Sequence, residues 1–207
     1  DSMVTIGDVE RAYGERLRAI GPANLGSGVC AQGTDASGGI GFKGKELLKE
    51  IDRLGIVLDA AHLCDESFRE LMDVFEGRVW ASHSNCRKLV PKDRQFTDEQ
   101  LKELIDRGAV IGASLDAWMM VPGWILWETK PEDVGVKLEH IVDHIDHVCQ
   151  LAGNTLHVGI GSDLDGGFGL EESPMDIDSI ADLLTCFIEG ANAEICGRSA
   201  SDYDGVE

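Results

Sequence analysis

Five short apolar runs, 17–23, 55–61, 78–82, 109–115 and 156–162, recur along the chain without alternating with polar positions. Strands covered on both faces read this way, so each run predicts a buried strand of a parallel sheet. Between the runs the apolar positions take helical spacing. Phe42–Leu54 carries Leu47, Leu48, Ile51 and Leu54, and 137–151 carries Leu138, Ile141, Val142, Ile145, Val148 and Leu151 as one stripe. Helices are also expected over 65–75 and 97–107, both opening on capping residues. Thr97 is followed three places later by Gln100, the pattern of a capping box. A last helix is expected over about 176–189, and the tail 191–207 loses apolar periodicity and reads as irregular.

Strands alternating with helices imply a parallel α/β sheet with right-handed crossovers. Five strands suit an open doubly wound sheet, or five of the eight strands of a (β/α)8 TIM-type barrel with residues 1–190 as one portion of it. The Gly-rich stretch 26–44 is long for a strand-to-helix connection and is expected to form an active-site loop.

Three of the runs end in residues able to bind metal or move a proton: His62, His83 and Asp163. Polar residues at the C-terminal ends of successive parallel strands converge on one mouth, which in a barrel is the active site. A single strand-end histidine fits a hydrogen-bonding role; two on adjacent strands bring a metal role level with it. Ser84 and Asn85 beside His83 could orient its ring. Asp163, in Gly-Ile-Gly-Ser-Asp163-Leu-Asp165-Gly, suits a general base. Read instead as a calcium loop, that segment lacks the glutamate at its twelfth place, which is Pro174 with Glu171 and Glu172 nearby. Asp165 also suits a simple turn cap. Arg94 suits bidentate capture of a substrate carboxylate, with a surface role as its alternative.

His140, His144 and His147 share one helix face but read as a hydrogen-bonded or solvated flank rather than a metal face. Trp118, Trp124 and Trp127 read as packing a loop, with a substrate wall as the alternative. The chain has no phosphate-binding loop, dinucleotide fingerprint or Ser/Cys nucleophile motif.

Charge narrows the partners. The chain has 18 basic and 38 acidic residues among 207, a net charge of −20, so nucleic acid and anionic membrane surfaces are not expected to bind. No apolar run approaches the roughly 18 residues needed to cross a bilayer. Six cysteines without a Cys-x-x-Cys pair read as reduced thiols of a cytoplasmic protein, and no signal segment follows Asp1.

The ordered motifs Leu-Asp-Ala-Ala-His62, Ala-Ser-His83-Ser-Asn, Arg94-Gln-Phe-Thr-Asp-Glu-Gln-Leu and Val-Gly-Ile-Gly-Ser-Asp163-Leu-Asp-Gly resemble the membrane (renal) dipeptidase family over about residues 17–185. That resemblance implies a zinc metallopeptidase of the amidohydrolase superfamily on a (β/α)8 barrel, hydrolysing dipeptides with a hydroxide held between two zinc ions. It assigns His62 and His83 to the second zinc, Asp163 to proton handling and Arg94 to the substrate carboxylate. Asn24 falls where the family's fourth strand usually ends in a histidine that helps stabilise the transition state, and is expected to contact the substrate. The chain lacks the family's first-strand His-x-Asp and bridging glutamate, so it is expected to represent strands four to eight with at most one partial zinc site. Two other functions stay open: a non-catalytic barrel fragment acting as a scaffold, and another amidohydrolase-type metal hydrolase. The expected partner is a dipeptide, with a homodimer left open.

Overall fold

The computed structural model describes residues 5–164 and 166. The expected helix over 176–189, the irregular tail, Asp165 and the Pro174 region lie outside the described residues. The elements run α1 (Ile6–Gly14), β1 (Ala19–Ile20), α2 (Phe42–Leu54), β2 (Val57–Asp59), α3 (Asp65–Val74), β3 (Val79–Trp80), α4 (Asp98–Asp106), β4 (Ile111–Ala113), α5 (Ala117–Met120), α6 (Pro131–Val134), α7 (Leu138–Ala152) and β5 (Val158–Ile160). Each strand lies inside one of the apolar runs but is shorter, because parallel pairing stops where the chain turns toward a loop. The fold is mixed α/β, and every strand pair among the described residues is parallel.

The chain divides into two compact units, Asp1–Ser82 with Glu103–Val110, and His83–Lys102 with the chain from Ile111 onward. In the first, β1, β2 and β3 form a sheet in that order, with Leu58 opposite both Ile20 and Val79. Leu58 is fully buried, as are Phe68 and Leu71 of α3, and α2 buries Leu47, Leu48 and Ile51. Gly55 closes α2 at φ 67°, a left-handed cap that glycine adopts without Cβ strain. α1 was not foreshadowed by any apolar stripe, and Val9 is its one buried residue. Its start is set by a capping box: the Asp8 N–H donates to Thr5 Oγ1, and the Thr5 N–H to Asp8 Oδ2, both at 3.2 Å.

In the second unit β4 pairs with β5, Gly112 opposite Gly159. Behind them Ala113, Leu115, Ala117, Met120, Val121, Trp124, Ile141 and Ile145 form one buried cluster. Trp124 therefore packs as its sequence context suggested, whereas Trp127 is 80% exposed. The expected capping box at α4 is present: the Thr97 N–H donates to Gln100 Oε1 at 2.8 Å, and the Gln100 N–H to Thr97 Oγ1 at 3.3 Å.

The three histidines of α7 do three structural jobs. His140 Nδ1 accepts from the Lys137 N–H at the helix start (3.0 Å). His147 Nε2 pairs with Asp98 Oδ1 at 2.8 Å. His144 Nδ1 accepts the Cys86 N–H at 3.0 Å, which makes Nε2 the protonated nitrogen facing the Met120 carbonyl at 3.1 Å. His144 and His147 are buried, so a solvated flank is ruled out for both.

Burial, with smaller contributions from His147 and His140, holds the His144 pKa down from 6.5 to about 4 against the pull of the Met120 carbonyl. Above pH 6.5 the imidazole is neutral in folded and unfolded chains alike, and its full contribution to stability is present. Between pH 6.5 and 4 the unfolded chain takes up a proton that the folded one refuses. Stability therefore falls with pH across this window, by about 3 kcal/mol in all. Denaturant midpoints at pH 7, 5.5 and 4.5 read the slope, and His144→Gln is expected to flatten it.

Candidate active site

β2 ends at Asp59, whose Oδ1 accepts the N–H of Ala61 at 3.0 Å and of Ser82 at 2.9 Å. This one carboxylate ties the chain beyond β2 to the chain beyond β3. The backbone then turns sharply, and His62 takes φ 68°. Thr34, 1% exposed, holds its ring, with Oγ1 lying 3.3 Å from His62 Nδ1. A histidine engaged at Nδ1 binds metal through Nε2. Thr34 belongs to the 26–44 stretch, which folds back on itself through a bridge between Ser27 and Gln32 and reaches the β2 side through a bridge between Gly33 and Leu63. A Cβ at Gly33 would overlap the Asn24 carbonyl, so only glycine allows this close approach. Asn24 is exposed, and its Oδ1 accepts the Leu25 N–H at 2.9 Å. The stretch thus supports the His62 strand end.

In the second unit Ser84, next to His83, donates its N–H to the Gly112 carbonyl on β4 at 2.8 Å. The Leu115 N–H donates to Ser162 O at 3.0 Å, anchoring the turn that presents Asp163. Asp163 takes φ 59°. His83 Nε2 and Asp163 Oδ2 lie 3.8 Å apart, and both side chains are about one-fifth exposed, at 19% and 23%. An imidazole and a carboxylate at this separation, beyond direct hydrogen-bond reach, leave room to share a ligand between them. Of the five described non-glycine residues with positive φ, two are these strand-end residues, His62 and Asp163. Such strain persists where the surroundings over-determine it, commonly at functional positions.

Arg94 is only 3% exposed, and its Nη2 donates to the His83 carbonyl at 2.8 Å. Its guanidinium is thus built into the wall beside His83, which sets aside the surface role. Lys92 reaches over the Trp118 ring, 5.1 Å from its centroid, and the Trp118 indole donates to Asp116 Oδ2. Cys86 is buried, and burial together with Asp98 pushes its thiol well above the ordinary range, so it is inert. The described cysteines Cys30, Cys64, Cys86 and Cys149 are free thiols, as expected.

His62 and His83 offer the donor chemistry of zinc, imidazole nitrogen. No group of three His, Cys, Asp or Glu side chains gathers into a metal cluster among the described residues. Sequence reasoning overlooked Thr34, Asp59 and Gln95. Their signals are long-range partnerships, 28 residues from Thr34 to His62 and 23 from Asp59 to Ser82.

Comparison with known proteins adds to this geometry. The sequence model of membrane dipeptidase (Peptidase family M19) matches residues 23–195. An "uncharacterized protein in pqqA 5'region" of Klebsiella pneumoniae is 32% identical over 168 residues, covering 77% of this chain and 59% of that protein. The dipeptidase verJ of Clonostachys rogersoniana is 29% identical over 202 residues, 95% of this chain and 47% of that one. Among solved structures, a metallopeptidase of Rhodobacter sphaeroides liganded with a phosphinate mimic of the dipeptide L-Ala-D-Ala superimposes with TM-score 0.74. It is 25% identical and covers 88% of this chain and 52% of that chain. The chain thus spans about half the length of these relatives.

Proposed function

We infer, since this chain belongs to the membrane dipeptidase family (Peptidase family M19), that the protein hydrolyses dipeptides, with His62 and His83 as zinc ligands. The five described parallel strands are read as strands four to eight of a (β/α)8 barrel. The observation that carries the reading is the 3.8 Å approach of His83 Nε2 and Asp163 Oδ2, an acid–base group beside a metal-type ligand.

When bound, zinc polarises a carbonyl and lowers the pKa of water. Thr34 keeps the His62 ring oriented through Nδ1. Asp163 takes a proton from the attacking water at its carboxylate and returns it to the leaving amine. Arg94 offers its guanidinium to the carboxylate of the dipeptide, and Asn24 contacts the substrate. The location is read as cytoplasmic. No described helix is long and apolar enough to cross a membrane.

The test is amino-acid release from a panel of dipeptides, N-acyl amino acids and phosphoesters by the full natural protein carrying these residues. Dipeptide turnover is expected, lost on chelation and restored by zinc. Absence of turnover with zinc present would leave a non-catalytic scaffold. Turnover confined to the acyl or phosphoester substrates would mark another amidohydrolase-type hydrolase. Sedimentation of the same sample reads whether the protein forms a homodimer.

A further inference from the structure

We propose that Gln95 is a positioning residue that sets Arg94 against His83, and so sets the substrate-carboxylate anchor against the metal ligand. The inference rests on the dipeptidase reading above. Gln95 is 1% exposed and uses both ends of its amide. Oε1 accepts the backbone N–H of Asn85 at 2.9 Å, and Nε2 donates to the Met119 carbonyl at 2.7 Å. A backbone N–H only donates and a carbonyl only accepts, so these partners fix which way the amide points.

The grip extends outward from there. Asn85 Nδ2 donates to the carbonyls of Ser114 (3.0 Å) and Met119 (3.2 Å), while its Oδ1 accepts the Ser114 N–H at 3.0 Å. The Phe96 N–H donates to Asn85 O at 3.3 Å and the Arg87 N–H to Phe96 O at 2.9 Å. The segment after His83 and the segment after Arg94 thus run side by side, stitched by main chain and by one buried glutamine. His83 stands two residues before Asn85, and Arg94 one residue before Gln95. The 2.8 Å bond from Arg94 Nη2 to His83 O closes the ring. Displacing the Gln95 amide shifts the arginine relative to the histidine without touching a group that meets substrate.

Glutamine alone meets both demands at this length. Gln95→Glu keeps the acceptor for Asn85 and loses the donor for Met119. Gln95→Met loses both while keeping the chain length. Gln95→Met leaves the buried Asn85 N–H without its partner, and Gln95→Glu sets a carboxylate oxygen against the Met119 carbonyl, which keeps its bond from Asn85 Nδ2.

The experiment measures kcat and KM for a dipeptide and for its C-terminal amide, with the full natural protein and both variants. It also follows calorimetric binding of a phosphinate dipeptide mimic, zinc affinity by chelator competition, and thermal midpoint. In Gln95→Met the dipeptide KM is expected to rise about tenfold with kcat changed less than about threefold, and the amide is expected to be hydrolysed as before. The phosphinate mimic should bind about tenfold more weakly while zinc affinity holds, because the ligand side chains themselves are untouched. A merely structural role would lower the midpoint and slow both substrates alike. An unchanged dipeptide-to-amide preference therefore overturns the inference, even where dipeptide turnover upholds the functional reading. Absence of dipeptide turnover in the unsubstituted protein overturns the reading and the inference together. If Gln95→Met does not fold, Gln95→Glu carries the same comparison with the same expected loss of preference.

Discussion

Asp163→Asn is expected to lower kcat for dipeptide hydrolysis by about 10²–10⁴-fold, the range for removing a general acid–base group, while zinc affinity stays put. Asparagine suits the test because it keeps the shape of aspartate and tolerates the left-handed backbone, which this residue occupies at φ 59°. Alanine would add backbone strain and confuse the result. The turn around Asp163 is tightly made. The Gly166 N–H donates to Asp163 O at 2.8 Å, and a Cβ at Gly166 would overlap the carboxylate. With the geometry retained, what Asp163→Asn removes is the capacity to take a proton. Stopped-flow or steady-state kinetics with zinc titrated in parallel reads both quantities, and a kcat within about threefold of the parent would take the proton role away from Asp163.

The second large effect is on stability. Trp124 is 1% exposed at the centre of the second unit's core, packed with Ala113, Leu115, Ile141 and Ile145. Truncation to alanine is expected to cost about 3–5 kcal/mol, through lost burial and a cavity that neighbours fill only in part. Trp124→Phe is expected to cost roughly half of that or less. The indole Nε1 is buried and has no hydrogen-bond partner among the described residues, so phenylalanine removes a polar group that gains nothing from the core. Urea unfolding of both variants gives the two losses directly, and equal losses would show that a phenyl ring recovers none of the packing the indole supplies.

The strands were legible in the sequence because fully covered β-structure needs apolar residues on both faces, and all five runs contain one. α2 was equally legible: Leu47, Leu48 and Ile51 form a stripe and bury. α1 buries Val9 alone and so shows no stripe, and α5 and α6 are four residues each, about one turn, too short for a period to appear. The same contrast runs through the site. His62, His83 and Asp163 stand out because each interrupts an apolar run. Gln95 and Thr34 do not, since their partners are main-chain groups or a ring many residues away. The burial of Arg94 was hidden for the same reason: its partner is the backbone carbonyl of His83, which any residue there would supply.

The left-handed backbone at His62 and Asp163 makes two demands on each position. On the dipeptidase reading the chemistry calls for imidazole and carboxylate, while the turn favours glycine, and a left-handed non-glycine residue costs about 1–3 kcal/mol. If that reading holds, these positions record whether selection acts on turnover. In a descendant released from catalysis, glycine at 62 or 163 would relieve strain at once and spread as a stabilising change. A variant carrying His62→Gly or Asp163→Gly, more heat-resistant than its parent and silent toward dipeptides, would be the molecular fossil of an abandoned activity.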